Sequence, residues 1–352
     1  MYPALAVLQT LGSDADSVLW VGGEGGMEAE MVTRLNIPYK TIPAAGIHGV
    51  GLRALPSNIL RLLRGVFASR KILSEYKPDA LLFTGGYVAV PMAVAGVKIP
   101  SLLYTPDIEP GLAIKAIAHF SDCIAMTAEE SRSFFKFNHH LVVSGYPTRP
   151  EFTEWKKEKA RKHLDLHNNK PVLLVFGGSK GALSINKAVL QILPQLLDLA
   201  QVVHITGQPH FAEAQAVKTS LINSDEYHPF PYLHEDMGAA FAAADLAVCR
   251  AGASTLGELP LFGLPAILVP YPYAWRYQKV NADYLVKNGG AVMLKDEELN
   301  TALLPTVTDL FHSPDRLVEL KQKMTSLATP NAAEVLASTL RNLTTANKGA
   351  AQ

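Results

Sequence analysis

Cysteine is nearly absent from this 352-residue chain: Cys123 and Cys249 are the only two. Both lie in apolar, strand-like runs, where a thiol behaves as a small core residue, so a disulfide-stapled secreted fold is excluded and a reducing compartment fits. Long hydrophobic runs are missing too. None approaches the ~20 residues that a bilayer-crossing helix needs, and the first residues lack the charged start and small-residue cleavage site of a signal peptide. There is no surplus of either charge. The 32 basic side chains balance 32 acidic ones, which speaks against bulk nucleic-acid binding though not against a local basic patch. No G-x-G-x-x-G follows a first strand, so a dinucleotide oxidoreductase has little support. His204, His210 and His234 match no zinc spacing, and satisfied strand or surface histidines are the plainer reading. These absences lead us to expect a cytosolic globular protein with no cofactor, touching a membrane surface at most.

What is present is apolar substance and alternation. Hydrophobic residues make up 48% of the chain and charged ones 18%, enough to bury two cores. The chain opens on a helical pattern with Pro3 in its first turn and no strand before it. Strand-like runs at 17–21, 39–42, 80–84, 101–104, 123–126 and 141–143 then alternate with helical patterns over 25–35 and from Ser57. A second series follows Tyr146-Pro147-Thr148-Arg149-Pro150: a charged helix over 153–164, strand 172–176, helix 181–197 and strand 202–205. The tail reads as helices over 314–325 and 332–343 before a frayed polar end. LLFTGGYVAV and LLVFGGSKGA rhyme across the halves, each a strand, Gly-Gly and a helix. The expected fold is α/β: two Rossmann-like domains, 1–148 and 149–328, with parallel sheets facing across a cleft, and a C-terminal helix with tail over 329–352.

The stretch from Cys249 to Ala282 organises the rest. The strand 245–249 turns at Ala251-Gly252 into a helix beginning near Ala253. Small residues there let another molecule approach the backbone, and the helix start points N–H groups and the positive end of its dipole at negative charge. Glu258, one turn on, can accept hydrogen bonds from paired hydroxyls such as those of a ribose. Arg276, Gln278 and Asn281 lie where a sugar would follow. A Gly-Ala turn alone is only a turn, and Glu258 alone reads as a solvated helix residue; their combination in one window points to a nucleotide-sugar pocket.

Residues 46–76 carry a second candidate. A glycine-rich apolar loop leads through Ser57, an N-cap, into a helix where Ile59, Leu60, Leu62, Leu63, Val66 and Phe67 interleave with Arg61, Arg64, Arg70 and Lys71. An ordinary amphipathic helix with a basic solvent face explains it. So does a surface that rests on anionic lipid.

The segments PALAV (3–7), MEAEMV (27–32), KPDALLFTGGYVAVPMAVA (77–95), GGSKGALSIN (177–186), DMGAAFAAADLAVCRAGASTLGEL (236–259) and GLPAILVPYPYAWRYQKVNA (263–282) resemble the MurG glycosyltransferases. That family moves N-acetylglucosamine from UDP-GlcNAc onto the undecaprenyl-linked lipid I in peptidoglycan synthesis. The resemblance spans nearly the whole chain. It implies a GT-B architecture, the donor held by the second domain, the acceptor lipid by the first, and the C-terminal helix packed back on the first. It also implies a peripheral place on the cytoplasmic face of the cell membrane, reached through 46–76. Ser179 would then contact the donor diphosphate and Arg149 would lie near the uridine. The backbone of Leu233 would pair with uracil. Ala253, Ser254, Thr255, Leu256, Gly257 and Glu258 would surround the phosphates and ribose, and Gln278 would bond the sugar.

Three departures stand out. The family begins with a strand and a Gly-Gly-Thr-Gly-Gly-His loop ahead of the helix that starts here at Met1, so no catalytic base is assigned. Tyr104 to Pro110 replaces the family's His-Glu-Gln-Asn, with Asp107 and Glu109 as nearby carboxylates that read equally as turn residues. Tyr277 stands where relatives carry Gln or His. The implied reaction is an inverting displacement by the acceptor's C4 hydroxyl, with N–H dipoles taking the charge that grows on the leaving diphosphate. A UDP-GlcNAc 2-epimerase and a non-catalytic nucleotide-sugar binder are the alternatives.

Overall fold

The computed structural model describes residues 1–26, 28–46, 55–136, 140–167, 169–178, 181–272 and 275–350. The chain divides into two compact units, one of residues 1–147 with 331–352 and one of residues 148–330. Both are α/β with parallel strands throughout, the GT-B class of fold.

Unit 1 runs α1 (Tyr2–Leu11), β1 (Trp20–Gly23), α2 (Glu28–Arg34), β2 (Tyr39–Ile42), α3 (Leu55–Tyr76), β3 (Leu81–Phe83), α4 (Ala89–Ala95), β4 (Ser101–Thr105), α5 (Leu112–Ala118), β5 (Cys123–Met126) and β6 (His140–Val143). One sheet was the expectation; two are found. β1 pairs with β2, while β3-β4-β5-β6 form a separate four-stranded sheet, because among the described residues no strand bridges β1 and β3. β4 and β5 are buried at every position, as strands covered on both faces must be. The C-terminal helix Ala332–Ala350 packs on α1 and β4. It runs on to residue 350 where the sequence suggested a frayed end after 343.

Unit 2 runs α6 (Lys157–His163), β7 (Val172–Phe176), α7 (Leu183–Gln191), α8 (Leu193–Leu199), β8 (Gln201–Ile205), α9 (Phe211–Ser220), β9 (Tyr227–Phe230), α10 (Met237–Ala243), β10 (Leu246–Cys249), α11 (Thr255–Phe262), β11 (Ala266–Leu268), α12 (Trp275–Lys287), β12 (Ala291–Met293), α13 (Leu299–His312) and α14 (Pro314–Ser326). The single helix expected over 181–197 breaks at Ile192, where Pro194 enters the first turn of α8 and has no N–H to continue the ladder. The helix expected over 153–164 is a short 3-10 turn (150–154) followed by α6. Leu173, Val175, Val202, Leu246, Val248 and Ile267 from the sheet meet Ile185, Val189, Leu193 and Leu303 from the helices in one core.

The sheet order is β12-β11-β10-β7-β8-β9. The chain therefore winds outward in one direction from β7 and in the other from β10. Between these two strands lies the topological switch point, where loops leave the carboxyl ends in opposite directions and open a crevice. Phe176 and Cys249 end the two strands in register, so the loops beginning at Gly177 and Arg250 border that crevice. Gly181, at φ +73°, closes the first of them. A Cβ there would meet the Thr206 carbonyl at 2.0 Å, so only glycine lets α7 start so close to β8.

Candidate active site

β10 is apolar and buried, and it ends at Cys249 because Arg250 to Ala253 turn out of the sheet. Ser254 is the N-cap of α11 and Gly263, in the left-handed conformation, terminates it. The amides of Thr255, Leu256 and Gly257 donate to the carbonyls of Gly252, Ala253 and Ser254, and that of Glu258 donates to Ser254. These four amides are therefore engaged, and Thr255, Leu256 and Gly257 are buried. The available amides lie at the turn itself, near Ala253, where the sequence places the helix start. Among the described residues, the N–H groups of Gly252, Ala253 and Ser254 meet no backbone carbonyl. A Cβ on Gly252 would face open space, so a phosphate-sized group can reach this backbone.

Glu258 projects back toward the same turn. Surrounding protein pushes its carboxyl up to about 7, against the pull of a Ser254 hydrogen bond and the Arg149 charge. Partial exposure keeps it reachable from the crevice. Arg149 lies 4.2 Å over the Phe152 ring and donates from Nη1 to the His234 carbonyl at 2.7 Å. That bond places it beside buried Leu233. Arg149, Leu233, Ser254 and Glu258, spread over more than a hundred residues of sequence, are thus linked through one cluster. Tyr232 and His234 pack edge to face at its border, centroids 4.4 Å apart.

Gln278 sits on α12 with Oε1 accepting from the Tyr271 N–H at 2.9 Å. Asn281, read from sequence as a sugar ligand, is instead buried and donates to the Ala251 carbonyl at 3.2 Å. Its role is to hold the 251–253 turn. Ser179 and the Arg276 side chain lie outside the described residues.

The histidines have separate explanations. His204 is fully buried, with Nδ1 on the Tyr227 hydroxyl at 2.9 Å and Nε2 on Asn186 Oδ1 at 3.1 Å. Burial lowers its pKa to about 3, so it stays neutral and bridges α7 to β9. His210 and His234 lie toward the surface. In unit 1, Glu109 is 4% exposed and pairs with Lys115 at 3.6 Å, an anchor for α5, whereas Asp107 is half-buried. Tyr104 is buried with its hydroxyl on Thr127 at 2.8 Å, and burial holds its pKa well above the ordinary value.

Sequence reasoning missed Arg250. It is 8% exposed and bonds Ser184, Asp296 and the Val269 carbonyl. An Arg directly after a buried strand, where the chain should turn to solvent, was the available signal. Two concavities of unit 2, of about 550 and 480 Å³, lie elsewhere. They share Lys157, Asp245, Pro314 and Leu317 at the amino ends of the strands, away from the switch-point crevice.

On α3, Ile59, Leu60, Leu63 and Phe67 are exposed, Phe67 by 67%, while Gly65, Ser69 and Ile72 face inward. Arg70 lies 6.0 Å over the Phe67 ring. Residues 47–54 of the preceding loop lie outside the described residues. No described helix is long and apolar enough to cross a membrane.

Comparison with known proteins identifies the family. The profile of the glycosyltransferase family 28 N-terminal domain matches residues 1–126, and that of the C-terminal domain matches residues 172–336. A UDP-N-acetylglucosamine--N-acetylmuramyl-(pentapeptide) pyrophosphoryl-undecaprenol N-acetylglucosamine transferase of Roseiflexus sp. (strain RS-1) is 34% identical, over 97% of this chain and 92% of that protein. Among solved structures, MurG of Acinetobacter baumannii aligns with a TM-score of 0.77 and 26% identity, covering 97% of this chain and 95% of that one. A UDP-GlcNAc 2-epimerase from Neisseria meningitidis aligns with a TM-score of 0.68 at 13% identity, over 96% and 95%, a likeness of fold alone. The chain belongs to glycosyltransferase family 28, the family of the MurG enzymes, and is a glycosyltransferase.

Proposed function

We propose that this chain transfers N-acetylglucosamine from UDP-GlcNAc to the C4 hydroxyl of the muramoyl sugar of lipid I, with inversion, giving lipid II for peptidoglycan synthesis. One observation carries the reading. At the switch point of unit 2, an ionisable carboxyl, Glu258, stands beside amides at 252–254 that meet no backbone carbonyl among the described residues and within the field of Arg149. A ribose diphosphate asks for that set: an acceptor pair for vicinal hydroxyls and N–H donors for phosphate oxygens. Donors aimed at the diphosphate strengthen as its charge grows, so they favour the transition state over the bound donor. Arg149 and the Leu233-His234 backbone flank the position of the base, Ser179 serves the diphosphate, and Gln278 serves the hexose. The activity for which the Roseiflexus relative is named supports the choice of donor and acceptor. The test is radiolabelled UDP-GlcNAc with a lipid I analogue. Labelled disaccharide lipid is expected. UDP-ManNAc formed without acceptor, or binding without turnover, would replace this reading by an epimerase or a mere binder.

The acceptor is a lipid, and the α3 row of Ile59, Leu60, Leu63 and Phe67 beside Arg61, Arg64 and Arg70 supports docking on the cytoplasmic membrane surface. Leu60→Ser/Leu63→Ser/Phe67→Ser is expected to reduce sedimentation with anionic vesicles about tenfold or more, as three exposed apolar groups are lost. Its melting temperature should barely move, because none of the three is buried. Unchanged vesicle binding would remove the membrane role.

A further inference from the structure

Arg250 follows β10 directly and gathers three segments onto one buried guanidinium. Nη2 donates to Ser184 Oγ at 2.7 Å, in the first turn of α7. Nη1 donates to the Val269 carbonyl at 3.0 Å and to the Asp296 carboxylate, which also accepts from Ser184 Oγ at 2.7 Å. The guanidinium carbon stands 5.3 Å from the centre of the Tyr271 ring. The next link is the Tyr271 N–H, which donates to Gln278 Oε1 at 2.9 Å. An amide whose oxygen is held this way has its NH₂ left to offer.

We infer that Arg250 is a positioning residue that sets the sugar half of the donor pocket. By bonding the Val269 carbonyl and stacking on Tyr271, it fixes the 269–271 backbone so that the Tyr271 amide captures Gln278. The Gln278 NH₂ is then presented toward a hydroxyl or acetamido oxygen of the hexose. Asp296 on the same Nη1 and Ser184 on Nη2 hold the guanidinium in place, so the orientation depends on a planar fork. A lysine ammonium, a single point charge, cannot make these bonds and the stack at once. The inference rests on the nucleotide-sugar reading and adds to it a division of labour: Arg149 and Glu258 for the nucleoside, Arg250 acting through Gln278 for the sugar.

Calorimetric titration of Arg250→Lys with UDP-GlcNAc and with UDP separates the cases. UDP-GlcNAc affinity is expected to fall about 10- to 30-fold and UDP affinity less than about threefold, since only the sugar contact depends on the clamp. Gln278→Ala should give the same pattern, and the double variant should lose no more than either single one, as expected of residues acting in series. Equal losses for UDP and UDP-GlcNAc, or additive losses in the double variant, would overturn the inference. Lysine at 250 leaves Asp296 with a poorer partner and can unfold the unit, so Tyr271→Ala, at a residue 42% exposed, is the second variant. It should lower the ratio of UDP-GlcNAc to UDP affinity in the same direction, and an unchanged ratio would count against the clamp. Failure of the underlying reading looks different: wild-type protein would give a flat titration with UDP itself.

Discussion

Glu258→Gln is expected to weaken UDP-GlcNAc binding about 10- to 100-fold at pH 8 and hardly at all at pH 5.5. The ionised carboxylate accepts charge-assisted hydrogen bonds from ribose hydroxyls, worth about 1.5–3 kcal/mol, and an amide of the same shape cannot. Burial raises this carboxyl from 4.5 to about 7, so below neutrality the free protein holds it protonated. Donor binding must then expel the proton, and wild-type affinity should decline by up to about tenfold per pH unit below 7. The variant, with nothing to titrate, should show a flat profile. Stability runs the opposite way. The neutral carboxyl suits its burial, so its stabilising contribution is fully present below pH 4.5 and is lost as pH rises through about 7. The glutamine variant should therefore melt higher than wild type at pH 8 without ligand, and at the same temperature near pH 4. Calorimetry across pH 5 to 9 reads the affinity and scanning fluorimetry reads the melting. An affinity for UDP-GlcNAc that ignores both the substitution and pH would remove the ribose role from Glu258.

Asp245→Ala is expected to lower the stability of unit 2 by about 3–5 kcal/mol, the cost of leaving a buried charge without its partner. The Asp245 carboxylate accepts from Arg161 Nη2 at 2.7 Å, from the Val172 N–H at 3.0 Å and from Lys157. Arg161 is 6% exposed, and it also bonds the carbonyls of Ala243, His167 and Lys170. Removing the aspartate takes the carboxylate away from this guanidinium and deprives β7 of a partner at its first residue. Asp245→Asn keeps an acceptor for Val172 and should lose less. Because Asp245 precedes β10 and the crevice lies beyond its far end, UDP affinity of the folded protein should stay at the wild-type value. Urea unfolding followed by intrinsic fluorescence gives the midpoint shift. A loss below about 1 kcal/mol would mean that water reaches Arg161 when the carboxylate is gone.

How far each feature could be read in advance depended on how local its cause was. β7 and β10 are buried on both faces and are unbroken apolar runs, and β8, equally buried, is apolar apart from Gln201 and His204, so the places of all three were legible within a residue or so. β1 lies at 20–23 rather than 17–21, since its residues are only half-buried and give a faint pattern. The amphipathic face of α3 was legible as a period, but not which apolar residues turn outward. Val66 is half-buried while Leu60, Leu63 and Phe67 are exposed. Around the site, the residue types at 251–258 and 278 led to the expectation of a phosphate and sugar pocket, on which the proposed function rests. Asn281 looked equally suited to a ligand, and only its bond to Ala251 shows it serving the backbone.

By itself, then, the amino-acid sequence determined the α/β class, the parallel strands, the turn into α11 and the family, because each follows from apolar periodicity, small residues at a strand end, or motifs contiguous in the chain. Tertiary structure alone decided the split of the first unit's strands into two sheets, which amides of the 252–258 stretch are engaged, the raised pKa of Glu258 and the meeting of Arg250 with Ser184, Tyr271 and Asp296. Each of these depends on which distant groups share a few ångströms of low-dielectric space, and hydrogen-bond geometry and desolvation are set by that proximity rather than by order along the chain.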